Sequence, residues 1–373
     1  MKRSPRVLIV SPVFTHPPRQ GNAARILAFG RELKERGIIV DMLHYRLDNM
    51  PPEGDAAMRR EWNAVYLIEA MPHQDQSHPA YWGLDDWCHE VVCSTVADRT
   101  RQVHYDAVIA NYVWMSRCLI EARCRLRVID THDLFGDRHK LSLHHGLTPN
   151  WYFTSAEEET RGFDRADIVI GIQSVETGQI AARTRAQTMT VGHPMSPWFL
   201  FNKDSATKAA MFGYFGSGNP WNVHSILAFD EAVARVGESC DWAIAGTICR
   251  SSLRLRTYPF MFGVVEEPED FYRHVECCIN PMAGGTGLKI KTIEAMAYGR
   301  AVIGSENAFE GLEPSHALHR LAGVDDVVAG MRDYARSASL RQELHRATRR
   351  LFARYSTATR RQYDALAAAI RAA

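Results

Sequence analysis

Short apolar runs rich in Val, Ile and Leu alternate with longer stretches of helical period almost from end to end of the chain. A continuous apolar run of strand length marks a strand covered on both faces, and its alternation with amphipathic helices marks βα units and parallel sheets. The runs VLIVSPV (7–13), IIVDMLHY (38–45), WNAVYLIEA (62–70), DAVIAN (106–111), LRVID (126–130), DIVIGI (167–172) and QTMTV (187–191) predict one such sheet, with a helix from Gly21 to Arg36. A second series predicts another: AAMFGYFGS (209–217), DWAIAG (241–246), FMFGVV (260–265), ECCIN (276–280) and AVIGS (301–305). Between the two lies a stretch without period that contains Pro197, Asn202 and Asp204, so the boundary is expected at roughly 195 to 208. The expected organisation is an α/β, doubly wound domain over 1–200, a second over 201–355, and a terminal helix over 356–373 that packs back toward the first.

A chain of 373 residues is too long for one ordinary core, which agrees with two domains. Apolar residues at 46% and charged residues at 23% fit a soluble globular enzyme. The net charge of +1 argues against a dedicated nucleic-acid binder, whose affinity comes from neutralising many phosphates. The N-terminal MKRSPRVLIVSPVF imitates a signal peptide, but Pro12 breaks its apolar run and no small-residue cleavage site follows. No run reaches the ~20 apolar residues that span a bilayer. A cytoplasmic protein is therefore expected, with its eight cysteines reduced and mostly buried. Cys88, His89 and Cys93 are the nearest approach to a metal cluster, and no second half completes four ligands.

From Val324 onward the helical pattern is rich in arginine, including Arg341, Arg346, Arg354, Arg360 and Arg361. Solvated helix faces are the first reading, and a basic surface held at anionic lipid on the inner membrane face is the second.

Two glycine patterns carry candidate chemistry. GYFGSG (213–218) follows a strand as a dinucleotide fingerprint does, yet the next strand, DWAIAG, ends in Ala245 and Gly246. A nicotinamide-binding unit needs an acid there, about 20 residues on, to hold the ribose. GGTGLKIKTIEAMAYG (284–299) lacks the spacing of a Walker loop. A glycine-rich turn opening a helix still cradles anions, and Lys289 and Lys291 can offer point charges to a diphosphate. In a helix starting near Gly287, Glu294 lies about two turns in. Its carboxylate can accept the two hydroxyls of a vicinal diol, so a ligand with both a diphosphate and a ribose would use the lysines and the glutamate together.

The run GTGLKIKTIEAMAYGRAVIGS (285–305) resembles the donor-binding segment of family 4 glycosyltransferases, whose usual form is an E-x7-E motif followed by A-M-A-x-G-x-P-V-I. Glu294 matches the second glutamate, which in that family binds the ribose of a nucleotide sugar. The first falls at Thr286, and Arg300 stands in place of the common proline. A branch of the family carries G-x-G-x-K-x-K-x-x-E-A-M-A and a downstream E-G-L, present here as Glu310, Gly311 and Leu312. GSGNPWNVHSI, with Gly216, Ser217 and Asn222, resembles that branch's glycine-rich strand end more loosely.

The resemblance implies GT-B architecture, two Rossmann-like domains facing a central cleft, and retaining transfer of a sugar to a hydroxyl acceptor in polysaccharide, glycolipid or glycoconjugate synthesis. Gly216, Ser217 and Val264, with Gly285, Thr286, Gly287, Lys289, Lys291 and Glu294, become donor-binding residues. His132, directly after a strand, takes the place of an active-site histidine facing the donor sugar, with Asp133 beside it. Gly21, Asn22 and Arg25 lie in the loop after the first strand and, with Arg138, are candidates for acceptor or phosphate. The stretch 138–145 reads as a cationic loop. Glu157, Glu158 and Glu159 read as a structural helix face, and Trp82, Trp87, Trp114, Trp151 and Trp198 more as core than as sugar platforms. The implied donor is UDP- or GDP-linked, with no further cofactor and no metal. The alternatives are a nucleotide-sugar-binding pseudoenzyme, conceivable from the loss at Thr286, and a nucleotide-sugar epimerase.

Overall fold

The computed structural model describes residues 3–18, 20–47, 50–71, 75–200, 208–237 and 240–373. The chain divides into two compact units, one of Met1–Pro194 with Ala358–Ala373 and the other of Met195–Thr357. Asn202 and Asp204 lie outside the described residues.

The first unit is built on seven parallel strands: β1 (Arg6–Ser11), β2 (Ile39–Arg46), β3 (Ala64–Glu69), β4 (Tyr105–Asn111), β5 (Cys124–Asp130), β6 (Ile168–Gly171) and β7 (Gln187–Thr190). Their order is β3-β2-β1-β4-β5-β6-β7. Val7 to Val10 and Ala107 to Ala110 are wholly buried, as unbroken apolar runs in the middle of a two-faced sheet must be. Trp82, Trp87, Trp114 and Trp151 pack edge to face in this unit's core, with Trp87 5.4 Å from Trp114 and 5.2 Å from Trp151.

The second unit holds five parallel strands, β8 (Ala210–Phe215), β9 (Trp242–Ala245), β10 (Phe260–Gly263), β11 (Val275–Asn280) and β12 (Ala301–Gly304), in the order β10-β9-β8-β11-β12. Each sheet reverses its winding once, between β1 and β4 and between β8 and β11. A crevice opens outside the carboxyl ends of strands at such a reversal, and this is where ligands gather in open α/β sheets.

The terminal helix expected over 356–373 is the last part of a longer one. One helix runs from Ala338 to Ala372 because that stretch contains neither Gly nor Pro. From Ala358 it belongs to the first unit, where Tyr363, Leu366, Ala367 and Ile370 join the core. Part of its positive charge is already used: Arg341 donates to the carbonyls of Tyr334 and Ala335, and Arg354 to that of Glu313. Arg360 and Arg361 are exposed. Among the described residues no helix is long and apolar enough to cross a membrane. The stretch expected as a loop at 138–145 is a helix over Arg138–His144. It starts from a left-handed Asp137 (φ 62°) without a side-chain cap, so the usual sequence signal of a helix start is missing. Burial of His139, ring to ring with Phe153 at 4.8 Å, anchors it.

Candidate active site

In the second unit the residues after β8 and β11 meet at the winding reversal. Asn219 caps the Pro220–Val236 helix by accepting from Asn222 N–H at 2.8 Å. Asn222 in turn donates to the Ser217 carbonyl at 2.9 Å, which pins the Gly216–Ser217 turn. Gly246, at φ 97°, must be glycine here, since a Cβ would lie 2.3 Å from the Gly216 carbonyl oxygen. Val264, exposed, follows the last residue of β10 at the same end of the sheet.

Across the reversal, the turn at 284–289 does not begin the helix where the sequence suggested. The helix is Ile290–Ala297, because Gly285 (φ 104°) and Gly287 (φ 74°) hold left-handed conformations and Lys289 (φ −80°, ψ 84°) is not helical. Glu294 is therefore little more than one turn in, rather than two. The carbonyls of Gly285, Thr286 and Gly287 converge on the buried Lys289 ammonium at 3.2, 3.2 and 3.0 Å. In a trans peptide the N–H points opposite to the C=O, so the N–H groups of Thr286, Gly287 and Leu288 point away from that ammonium. Because the carbonyls converge on that ammonium, these N–H groups diverge, and the expected anion cradle is a cation cradle for Lys289. Lys289 thus stands behind the turn and holds its shape, with the Glu310 carboxylate 3.9 Å away.

Lys291 is turned to β8. Its ammonium donates to Tyr214 Oη at 2.7 Å and to Asn222 Oδ1, and meets Met282 Sδ at 3.4 Å. Glu294 accepts from Tyr272 Oη at 2.9 Å, and Tyr272 stacks on Tyr298 at 4.6 Å. Burial, with the Lys289 charge beside it, pulls Lys291 down to about 7, and burial pushes Glu294 up to about 7 against the Tyr272 hydrogen bond. One lysine and one carboxylate poised near neutrality make ligand binding proton-linked. An anion beside Lys291 favours its charged form and raises its pKa, so binding takes up a proton at about pH 8. Hydroxyls donated to Glu294 favour the carboxylate and lower its pKa, so binding releases a proton at about pH 6. Calorimetric titration of UDP in buffers of different ionisation enthalpy is expected to show this change of sign, with Lys291→Met abolishing the uptake.

In the first unit the predicted residues separate. Gly21 opens the Gly21–Glu35 helix, and Asn22 accepts from Ala23 N–H at 2.8 Å; both remain accessible. Arg25 does not reach solvent. It is fully buried and donates to both oxygens of Asp130, at 2.7 and 3.1 Å, and to the Val191 carbonyl at 2.9 Å. The expected acceptor or phosphate contact of Arg25 is replaced by a buried ion pair that ties the first helix to the ends of β5 and β7. Removing one partner of such a pair leaves an uncompensated buried charge, at a cost of about 3–5 kcal/mol. Arg25→Met is expected to lower the melting temperature by roughly 6–20 °C. Restoration of most of the loss in Arg25→Met with Asp130→Leu, measured by thermal unfolding, checks the cause.

His132 follows β5 at φ 60°, a left-handed conformation rare for a non-glycine residue and frequent at functional sites. Its Nε2 lies 2.6 Å from Asn111 Oδ1 and 3.4 Å from Asp130 Oδ2, and its ring stacks on Tyr112 at 4.3 Å. Burial pulls its pKa down to about 4 against the Asp130 charge, and pulls His193, after β7, to about 3. Both rings are neutral at pH 7. Asp133 accepts from Leu134 N–H at 2.9 Å and from Arg138 at 3.3 Å, and the Arg138 guanidinium lies over Phe135. Glu159 is buried, accepting from Phe135 N–H at 2.6 Å and paired with Arg183 at 2.9 Å, as a structural residue of its helix.

Sequence reading passed over Asn111, Asp130 and His193 here, and Tyr214 and Tyr272 in the second unit. Asn111, Asp130 and His193 share one detectable signal, a polar residue at or just past the carboxyl end of an apolar run. Among the described residues no group of three or more His, Cys, Asp or Glu is arranged to hold a metal ion.

The residues 209–335 match the family model of group 1 glycosyl transferases. By sequence alone the chain matches no curated protein. Among solved structures it is similar to a sucrose-phosphate synthase of Thermosynechococcus elongatus, at TM-score 0.75 and 15% identity over 99% of this chain and 100% of that one. TarM of S. aureus follows at TM-score 0.70 and 9% identity, over 97% and 98%. HepE of Anabaena, solved in complex with UDP and glucose, has TM-score 0.68 and 12% identity, over 97% and 99%. The fold is that of the GT-B glycosyltransferases, and the residues matched by the group 1 glycosyl transferase model fall in the unit that carries Lys291 and Glu294.

Proposed function

We propose that the protein is a glycosyltransferase that moves a sugar from a nucleotide diphosphate sugar to a hydroxyl of an acceptor sugar, glycolipid or glycoconjugate. The observation that carries this reading is one turn of helix. Lys291 and the buried carboxylate of Glu294 lie on it, at the winding reversal of the second sheet. The diphosphate lies beside Lys291 and displaces the Met282 thioether, the weakest of its three contacts. The ribose hydroxyls donate to Glu294. HepE was solved with UDP-glucose as well as UDP, which favours a uridine donor over a guanosine one.

In this proposal transfer proceeds with retention and without a metal ion. The bond from the anomeric carbon to the diphosphate oxygen breaks as the acceptor oxygen forms its bond on the same face. The acceptor proton passes to the departing phosphate oxygen. Electrostatic stabilisation of that leaving group is then the largest catalytic contribution. A cytoplasmic location with contact to the inner membrane face belongs to the same proposal and rests on the exposed Arg360 and Arg361.

Incubation with a panel of UDP- and GDP-sugars and hydroxyl acceptors, following nucleotide release and the anomeric configuration of the product by NMR, tests it. Transfer with retention is the expected outcome. Binding without turnover across the panel would return the pseudoenzyme reading that the threonine at 286 raises.

A further inference from the structure

We propose that Asn111 is a positioning residue that fixes the tautomer of His132, so that the imidazole presents Nδ1 as an acceptor and selects a ligand hydroxyl over a phosphate oxygen. The inference rests on the reading of His132 as a group that faces sugar.

Three contacts determine where the imidazole proton sits. Asn111 Nδ2 donates to the Val10 carbonyl at 3.3 Å, which turns the amide oxygen toward His132. The flipped amide would set two carbonyl oxygens against each other. That oxygen lies 2.6 Å from Nε2 and bears lone pairs alone, so Nε2 must carry the hydrogen. The second neighbour of Nε2, Asp130 Oδ2 at 3.4 Å, is likewise an acceptor. With the ring neutral, Nδ1 has no proton, and among the described residues no group bonds it. An unprotonated nitrogen attracts a hydroxyl hydrogen and repels an anionic oxygen.

The surroundings hold the ring in this state. Tyr112, itself at φ 72°, stacks on it, Asp130 is neutralised by Arg25, and His193 is also uncharged at pH 7. Asn111 is the last residue of β4 and pairs with Asp130, the last of β5, in register. The two residues that flank Nε2 are therefore fixed by the sheet itself, with 2% and 0% exposure.

Nitrogen-15 NMR of the imidazole in the full-length protein, without any substrate, reads the tautomer directly. The wild type is expected to show one neutral form, protonated at Nε2, from pH ~5 to ~8. Asn111→Ala is expected to give a mixture of tautomers and about a tenfold lower kcat, with the KM of the donor within about twofold. Asn111→Asp keeps the size of the side chain and places a carboxylate on Nε2. It is expected to move protonation of His132, and the acid limb of the pH profile, upward by at least about one unit. A wild-type ring protonated at Nδ1, or an Asn111→Asp variant with the same imidazole titration, would overturn the proposal. An Nε2-protonated ring in a protein that transfers no sugar would leave it standing and count against the proposed function alone.

Discussion

Glu294→Ala is expected to weaken binding of free UDP or GDP by roughly 30- to 150-fold, the equivalent of about 2–3 kcal/mol. The carboxylate is held by Tyr272 on one oxygen at 2.9 Å, and burial pushes its pKa to about 7. A buried carboxylate with spare lone pairs gains most from a ligand that donates two hydroxyls, because it then recovers the hydrogen bonds that burial removed. Titration calorimetry with ribo- and 2′-deoxynucleotides separates this contact from a loss of structure. The wild type should favour the ribonucleotide, and Glu294→Ala should lose that preference along with its affinity. Unchanged affinity, or a preference for ribose that survives the substitution, would remove Glu294 from the ribose.

His132→Ala is expected to lower kcat about 100-fold while the dissociation constant of the donor stays within about twofold. The left-handed backbone at His132, the stack on Tyr112 and the short contact with Asn111 all hold one ring in one orientation. Positioning of that kind matters most where charge develops during transfer, which is why turnover rather than affinity should respond. His132→Asn provides the control, since asparagine tolerates a left-handed backbone and keeps a polar group near the same place. A fully active alanine variant would reduce His132 to a strand-end residue that satisfies Asn111.

Much of the fold was legible because its strands are buried on both faces. Runs such as VLIV at 7–10 and AVIA at 107–110 have no polar face to disguise them, and among the described residues every strand falls within the predicted runs or a residue or two of them. The site was legible as composition but not as direction. Two lysines beside a glycine turn announce charge, yet the conformations of Gly285 and Gly287 send Lys289 to the carbonyl side of the turn and leave Lys291 toward β8. Arg25 illustrates the same limit, because its partner Asp130 lies 105 residues away and nothing local distinguishes a buried arginine from one that awaits an anion. Asn111 was hidden for a related reason: its importance comes from register with β5, which no pattern within β4 reveals. At Thr286 the turn contributes its backbone carbonyl to Lys289, a role that the side-chain identity does not reveal.

Lys291 and Glu294, one helical turn apart, are expected to divide one ligand between them, and a crystal structure of the protein with UDP tests this most directly. The diphosphate is expected beside Lys291, with both ribose hydroxyls on Glu294. A nucleotide bound elsewhere, or bound here with its ribose away from Glu294, would contradict it.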